Sequence, residues 1–197
     1  MAAESMQQKL INISLALFKE KGYEQVTINE ICAAAQVTKP TFYYHLKSKD
    51  DILITFYNEI AQDLTDCFLT VLSSNNHWEQ FYMLFVSLIN QTSRLGADLV
   101  SQMHRINLKG SYGEFDLVGH LSKFATIIIE RAQANGQIRA KGSPAELYRA
   151  AAYLFLGCEY TWCLKAGALD WNTEFFAPLE LLLDVDPKVS KIKGQTD

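Results

Sequence analysis

From Ser48 to Ser73 the chain contains neither glycine nor proline, while Ile52, Leu53, Phe56, Tyr57, Ile60, Leu64, Phe68 and Leu72 recur at helical spacing. A strand would alternate apolar and polar residues, so this segment predicts one long helix with a continuous apolar stripe. No alternating pattern persists elsewhere, and the expected fold class is all-α, with about nine helices. Apolar residues make up 49% of the 197 and charged residues 20%, which favours burial over disorder.

Local signals divide the chain into helices. The first runs from about Ser5 to Lys21, with a stripe on Leu10, Ile13 and Leu17, flanked by Ile11, Leu15 and Phe18, and stops at Gly22. Thr27-Ile-Asn-Glu30 has the form of a capping box that opens a short second helix ending near Gln36-Val37. Thr38 caps a third, with Pro40 in its first turn and Phe42 and Leu46 as anchors. Ser48-Lys-Asp-Asp51 is read as a second capping box at the head of the long helix, 48–73. Further helices are expected at about 76–94, 97–108 and 116–135, with a loop at 109–114. Ser143-Pro-Ala-Glu146 opens another that reaches towards Ala166, and a last one begins between Thr173 and Pro178 and ends near Val185. These boundaries give a domain at 1–50, the helix 48–73 as linker, a larger domain at 51–186, and a loose tail at 187–197.

Chemistry concentrates near the N-terminus. The net charge of −4 excludes a protein that coats nucleic acid without regard to sequence, yet residues 1–50 carry +1 and the remainder −5. Three short helices with a three- to four-residue turn between the second and third match the helix-turn-helix, whose third helix enters the major groove. Thr38, Lys39, Thr41, Tyr43, Tyr44 and His45 supply hydroxyl, ammonium and imidazole groups suited to phosphates and base edges. No acid lies between Glu30 and Asp50. Lys49 in the first turn of the fourth helix opposes the helix dipole, by about 0.3–1 kcal/mol, and a phosphate there would reverse the sign.

The segments Leu17-Phe-Lys-Glu-Lys-Gly-Tyr23, Val26-Thr-Ile-Asn-Glu-Ile31 and Val37-Thr-Lys-Pro-Thr-Phe-Tyr-Tyr-His-Leu-Lys-Ser-Lys-Asp-Asp-Ile-Leu53 closely resemble the TetR family of bacterial regulators. The resemblance implies that Thr27 and Tyr43 contact phosphates, that Thr38, Lys39, Pro40, Thr41 and Tyr44 face the groove, and that His45 and Lys49 hold the DNA backbone. Two residues depart from the family pattern. Gln36 stands where glycine is favoured, at a cost of about 1 kcal/mol if left-handed. Pro40 replaces a frequent glycine or alanine and places an apolar ring where thymine methyls are read.

Enzyme signatures are missing: the sequence has no GxSxG, HExxH, Walker loop or dinucleotide fingerprint. Cys32, Cys67, Cys158 and Cys163 form no CxxC, and His77, His104 and His120 are isolated, so neither a metal, a cofactor nor a disulfide framework is expected. Trp78, Tyr82, Phe85, Met103, His104, Phe124, Tyr153 and Trp162 are candidates to line a pocket for a small apolar or aromatic effector. The 144–166 helix is apolar nearly all round, which implies a second buried face. With Leu179, Leu182 and Leu183 on the 174–185 helix it would form a homodimer interface, as the resemblance also implies, placing two recognition helices about 34 Å apart on a near-palindrome. The expected function is a repressor, cytoplasmic and without a membrane span, that binds double-stranded operator DNA and is released when effector tilts the long helix. A regulator that acts without effector stays open on sequence alone.

Overall fold

The computed structural model describes residues 5–58, 76–109 and 117–191, and at 117–120 the backbone only. These fall into two compact units, one made of 5–58 with 95–109, the other of 76–94 with 117–191.

In the first unit, α1 (Met6–Lys21) is capped by the Ser5 hydroxyl, which accepts from the Gln8 amide at 3.1 Å. It buries Leu10, Ile11, Ser14, Leu15 and Phe18, whereas Ile13 and Leu17 are only half-buried. The apolar stripe is therefore centred one residue away from the expected one. Ser14 is tolerated inside because its hydroxyl donates to the Leu10 carbonyl at 2.7 Å. Gly22, at φ +84°, ends the helix with its amide on the Phe18 carbonyl.

The expected capping box opens α2 (Ile28–Ala35), with both reciprocal Thr27–Glu30 bonds present. Gln36 ends it in the left-handed region, φ 58° and ψ 44°, while Lys9 reaches across from α1 and donates to the Ala35 carbonyl at 3.2 Å. The Thr38 hydroxyl caps α3 (Lys39–His45), and Phe42 and Leu46 anchor it in the core beside Ile31, Ile52 and Leu53. Burying a side chain such as Phe42 completely stabilises the unit by about 1.5–3 kcal/mol.

The described part of α4 is 49–58. Ser48 caps it through the Asp51 amide at 3.0 Å, but the Asp51 carboxylate accepts from the Lys47 amide at 2.8 Å rather than returning to Ser48 as a capping box would have it. Continuation of this helix to Ser73 lies outside the described residues, as do 110–116 and 192–197. The unit is completed by α6 (Ala97–Lys109), which buries Leu99, Val100, Met103 and Ile106.

In the second unit, α5 (His77–Leu95) begins with Gln137 accepting from the amides of His77 and Trp78 at 2.9 and 3.1 Å. Its last residue already belongs to the first unit. α7 (Leu117–Ala134) packs on α8 (Pro144–Leu164), whose predicted Ser143–Glu146 capping box is complete. A single π-helical turn at Asn172–Phe176 then leads into α9 (Ala177–Leu183), and Ile138 and Val185 form an isolated antiparallel bridge.

Two expectations are corrected here. Leu179 and Leu183 are fully buried within the protomer, so they cannot also face a partner, whereas Leu182 and especially Leu181 are exposed. Residues 187–191 are not loose: the Ser190 hydroxyl and the Lys191 amide donate to the Glu180 carboxylate, and the Lys191 ammonium pairs with Glu79 at 2.6 Å.

Candidate nucleic-acid interface

The exposed side of α3 carries Thr38, Lys39, Pro40, Tyr43 and Tyr44, with Thr41 and His45 half-buried. Tyr43 is 51% exposed and Tyr44 85%, although aromatic rings ordinarily seek burial. Their neighbours brace them: Tyr43 meets Phe42 edge to face at 5.4 Å, and Tyr44 meets His45 in the same way at 4.9 Å. Lys39 and Tyr43 are one helical turn apart, as are Pro40 and Tyr44, so the face presents two parallel ridges. The hydroxyls of Thr38 and Thr41 lie 2.9 Å apart, and Thr38 also accepts the Thr41 amide, which holds both at the head of the helix.

Two of the expected backbone-holding residues are already engaged. The Thr27 hydroxyl donates to Glu30 at 2.9 Å and accepts the Glu30 amide at 3.2 Å. Lys21 approaches the same carboxylate at 2.9 Å, and these bonds, the Thr27 amide foremost, draw Glu30 down to about 2. Lys49 does not stand free at its helix end. Its ammonium donates to the Tyr23 carbonyl at 2.8 Å and sits 4.5 Å from the centre of the Tyr23 ring. The unfavourable placement of a cation in a first turn is thus offset inside the protein.

The effector candidates divide between the units. Met103 and His104 stand on α6 in the first; Trp78, Tyr82, Phe85, Phe124, Tyr153 and Trp162 belong to the second. Phe85 contacts the rings of Phe81, Phe155 and Phe175 at 5.3, 5.6 and 4.8 Å, Tyr82 lies 4.2 Å from Phe176, and Trp162 lies 6.4 Å from Trp171. Trp78 joins this cluster through Phe81 and Tyr82, with its indole N–H buried and unpartnered. These side chains pack one another as a core. Phe124 is half-buried, and Tyr153 is exposed on α8 beside an open depression of about 210 Å³ that Cys158, Thr161 and Glu174 also line. That volume is below the roughly 300–1,000 Å³ of a drug-sized site. Among the described residues no three His, Cys, Asp or Glu cluster to hold a metal, and no helix is long and apolar enough to cross a membrane.

Residues 10–55, from within α1 through α2 and α3 into α4, match the family model described as bacterial regulatory proteins, tetR family. This segment is similar to the N-terminal region of TetR-family regulators. The chain is 36% identical to the Tn10 TetC protein of Escherichia coli over 83 residues, 42% of each chain. It is 23% identical to the IcaR negative transcriptional regulator of the icaADBC biofilm operon from Staphylococcus epidermidis, over 52% of this chain and 63% of that protein. The match thus spans less than two thirds of either relative. In fold, it resembles FadR of Thermus thermophilus, a TetR-family transcriptional repressor solved with lauroyl-CoA, with a TM-score of 0.67, 20% identity, and 97% and 98% of the two chains covered. IcaR is a negative transcriptional regulator and FadR a transcriptional repressor.

Within the first unit, sequence reasoning passed over Tyr23, Asp50, Asp98 and Arg105. Tyr23 is 1% exposed, its amide donates to the Asp98 carboxylate at 3.1 Å, and its hydroxyl donates to Asp50. Only the cation at Lys49, placed against its helix dipole, signalled that something compensates it nearby.

Proposed function

We propose that the chain is a sequence-specific transcriptional regulator, a cytoplasmic repressor that binds double-stranded operator DNA as a homodimer and is released by a small apolar or aromatic effector. The observation that carries the DNA-binding reading is the acid-free exposed face of α3 with two solvent-facing tyrosines. In this reading Thr38, Lys39, Pro40, Thr41 and Tyr44 enter the major groove, while Tyr43, His45 and Lys49 hold phosphates. The first-turn amides of α2 offer a further phosphate site, and Thr27 joins it by yielding its bond to Glu30.

Dimerisation is supported by the outer side of α8. Tyr153, Gly157, Tyr160 and Leu164, at helical spacing, are all exposed, and Leu181 and Leu182 are exposed on α9. Two copies facing through these helices would form an isologous four-helix contact. Effector release draws on FadR, a protein of similar fold, having been solved with lauroyl-CoA. Native mass spectrometry of the chain purified from its host, followed by titration of any retained molecule into a complex with its own upstream DNA, tests this directly. A retained apolar molecule that dissociates the complex supports release; one that binds and leaves affinity unchanged contradicts it.

A further inference from the structure

The short turn between α1 and α2 is gripped from two sides inside the first unit. From α4, Lys49 donates to the Tyr23 carbonyl at 2.8 Å and Asp50 accepts the Tyr23 hydroxyl. From α6, Asp98 accepts the Tyr23 amide at 3.1 Å, and Arg105 pairs with Glu24 at 2.8 Å. Asp98 and Arg105 are seven residues apart, so they project from one side of α6 about two turns apart. Tyr23 thereby commits its amide, carbonyl, hydroxyl and ring, the ring also lying 4.8 Å from Phe18. Burial, and then the Asp50 carboxylate, push the phenol upward, so it keeps its proton to donate throughout the physiological range.

None of these contacts involves a residue of α3. They fix instead the junction that follows it: Leu46 and Ile52, both buried, bracket the start of α4, where Lys49 and Asp50 stand. Only Gly96, at φ +88°, separates α6 from α5. A hydrogen bond at 3.1 Å is lost once donor and acceptor separate by under about 1 Å more, so a shift of α6 relative to the turn strains this bond.

We infer that Tyr23 is a positioning residue for DNA binding, and that Asp98 and Arg105 make α6 the element that holds the helix-turn-helix in its binding posture. This rests on the reading of the chain as a DNA-binding protein. The bond network keeps Lys49 at the head of α4 and keeps α3 preorganised, which saves the ordering cost at binding.

The test uses the full chain and a duplex that it enriches from a randomised library. Asp98→Ala removes the acceptor, whereas Asp98→Asn keeps an oxygen that can accept the Tyr23 amide. Asp98→Ala is expected to weaken binding about tenfold, the effect of one lost charge-assisted bond, to lower the salt slope by about one phosphate contact and to speed exchange of the Tyr23 amide. Asp98→Asn restores amide protection and salt slope together. Should Asp98→Ala fold poorly, the exchanged pair Glu24→Arg with Arg105→Glu supplies the second readout: it binds like the parent, while each single change weakens binding. Parental affinity and slope in Asp98→Ala, despite a faster-exchanging Tyr23 amide, overturns the inference while leaving DNA binding intact. A parent chain that enriches no duplex defeats the DNA-binding reading itself.

Discussion

Glu30 and Thr27 close a reciprocal pair: the carboxylate accepts the Thr27 amide and hydroxyl, each at 2.9 Å, and the hydroxyl accepts the Glu30 amide. Thr27→Ala removes a helix cap and is expected to lower stability by about 1 kcal/mol in urea denaturation at neutral pH. Because Glu30 is depressed from 4.5 to about 2, its contribution is complete above about pH 4.5 and disappears as pH falls towards 2. Glu30→Gln should therefore show a flatter loss of stability than the parent between those limits; an unchanged acid limb contradicts the pairing.

Gln36 adopts φ 58° between the two helices of the reading motif, a conformation that costs a non-glycine residue about 1–2 kcal/mol. Gln36→Gly is expected to stabilise the chain by about 1 kcal/mol, after part of the gain is returned as unfolded-state entropy. A rise in the denaturation midpoint with an unchanged slope is the predicted signature. A destabilised variant would show that the Gln36 side chain contributes more than its backbone strain costs.

The exposed outer side of α8 and the buried residues of α9 predict opposite behaviours. Tyr160→Asp or Leu164→Asp, at exposed positions, should shift sedimentation from dimer to monomer with little loss of protomer secondary structure. Leu183→Ala, at a fully buried position, should destabilise the protomer itself by about 2–5 kcal/mol. A parent chain that sediments as a monomer at micromolar concentration contradicts the dimer.

Phe85 is packed by three rings, so Phe85→Ala is expected to cost about 3–5 kcal/mol in chemical denaturation. A loss below about 1 kcal/mol would mean instead that the ring borders open space where an effector sits.

Apart from the Ser48–Asp51 pair, features that depend on neighbours in sequence were legible, and those that depend on partners far along the chain were not. The caps at Thr27, Thr38 and Ser143 are three-residue relationships, and each forms as its residue types require. The polar content of α3 likewise marked the face that emerges exposed. By contrast, leucine at Leu179, Leu181, Leu182 and Leu183 is the same residue type in every environment; only packing decides that the first and last are core and the middle two are not. Lys49 read as an unpaired cation because the Tyr23 carbonyl it bonds lies 26 residues earlier, and Asp98 is 75 residues from the amide that it accepts. The 187–191 segment looked loose, yet Asp186 accepts the amides of Lys188, Val189 and Ser190, and the more distant Glu180 and Glu79 hold its end.

The central claim is that α3 presents its tyrosine-bearing, acid-free face to a duplex. Fluorescence-anisotropy titration of the parent and of a Lys39→Ala, Tyr43→Ala double variant, on a duplex from the upstream region across 50–200 mM salt, tests it most directly. Parental affinity is expected to fall steeply with salt, and the double variant to bind about a hundredfold more weakly, with a slope smaller by about two phosphate contacts. Equal affinity and equal slope for the two proteins would contradict it.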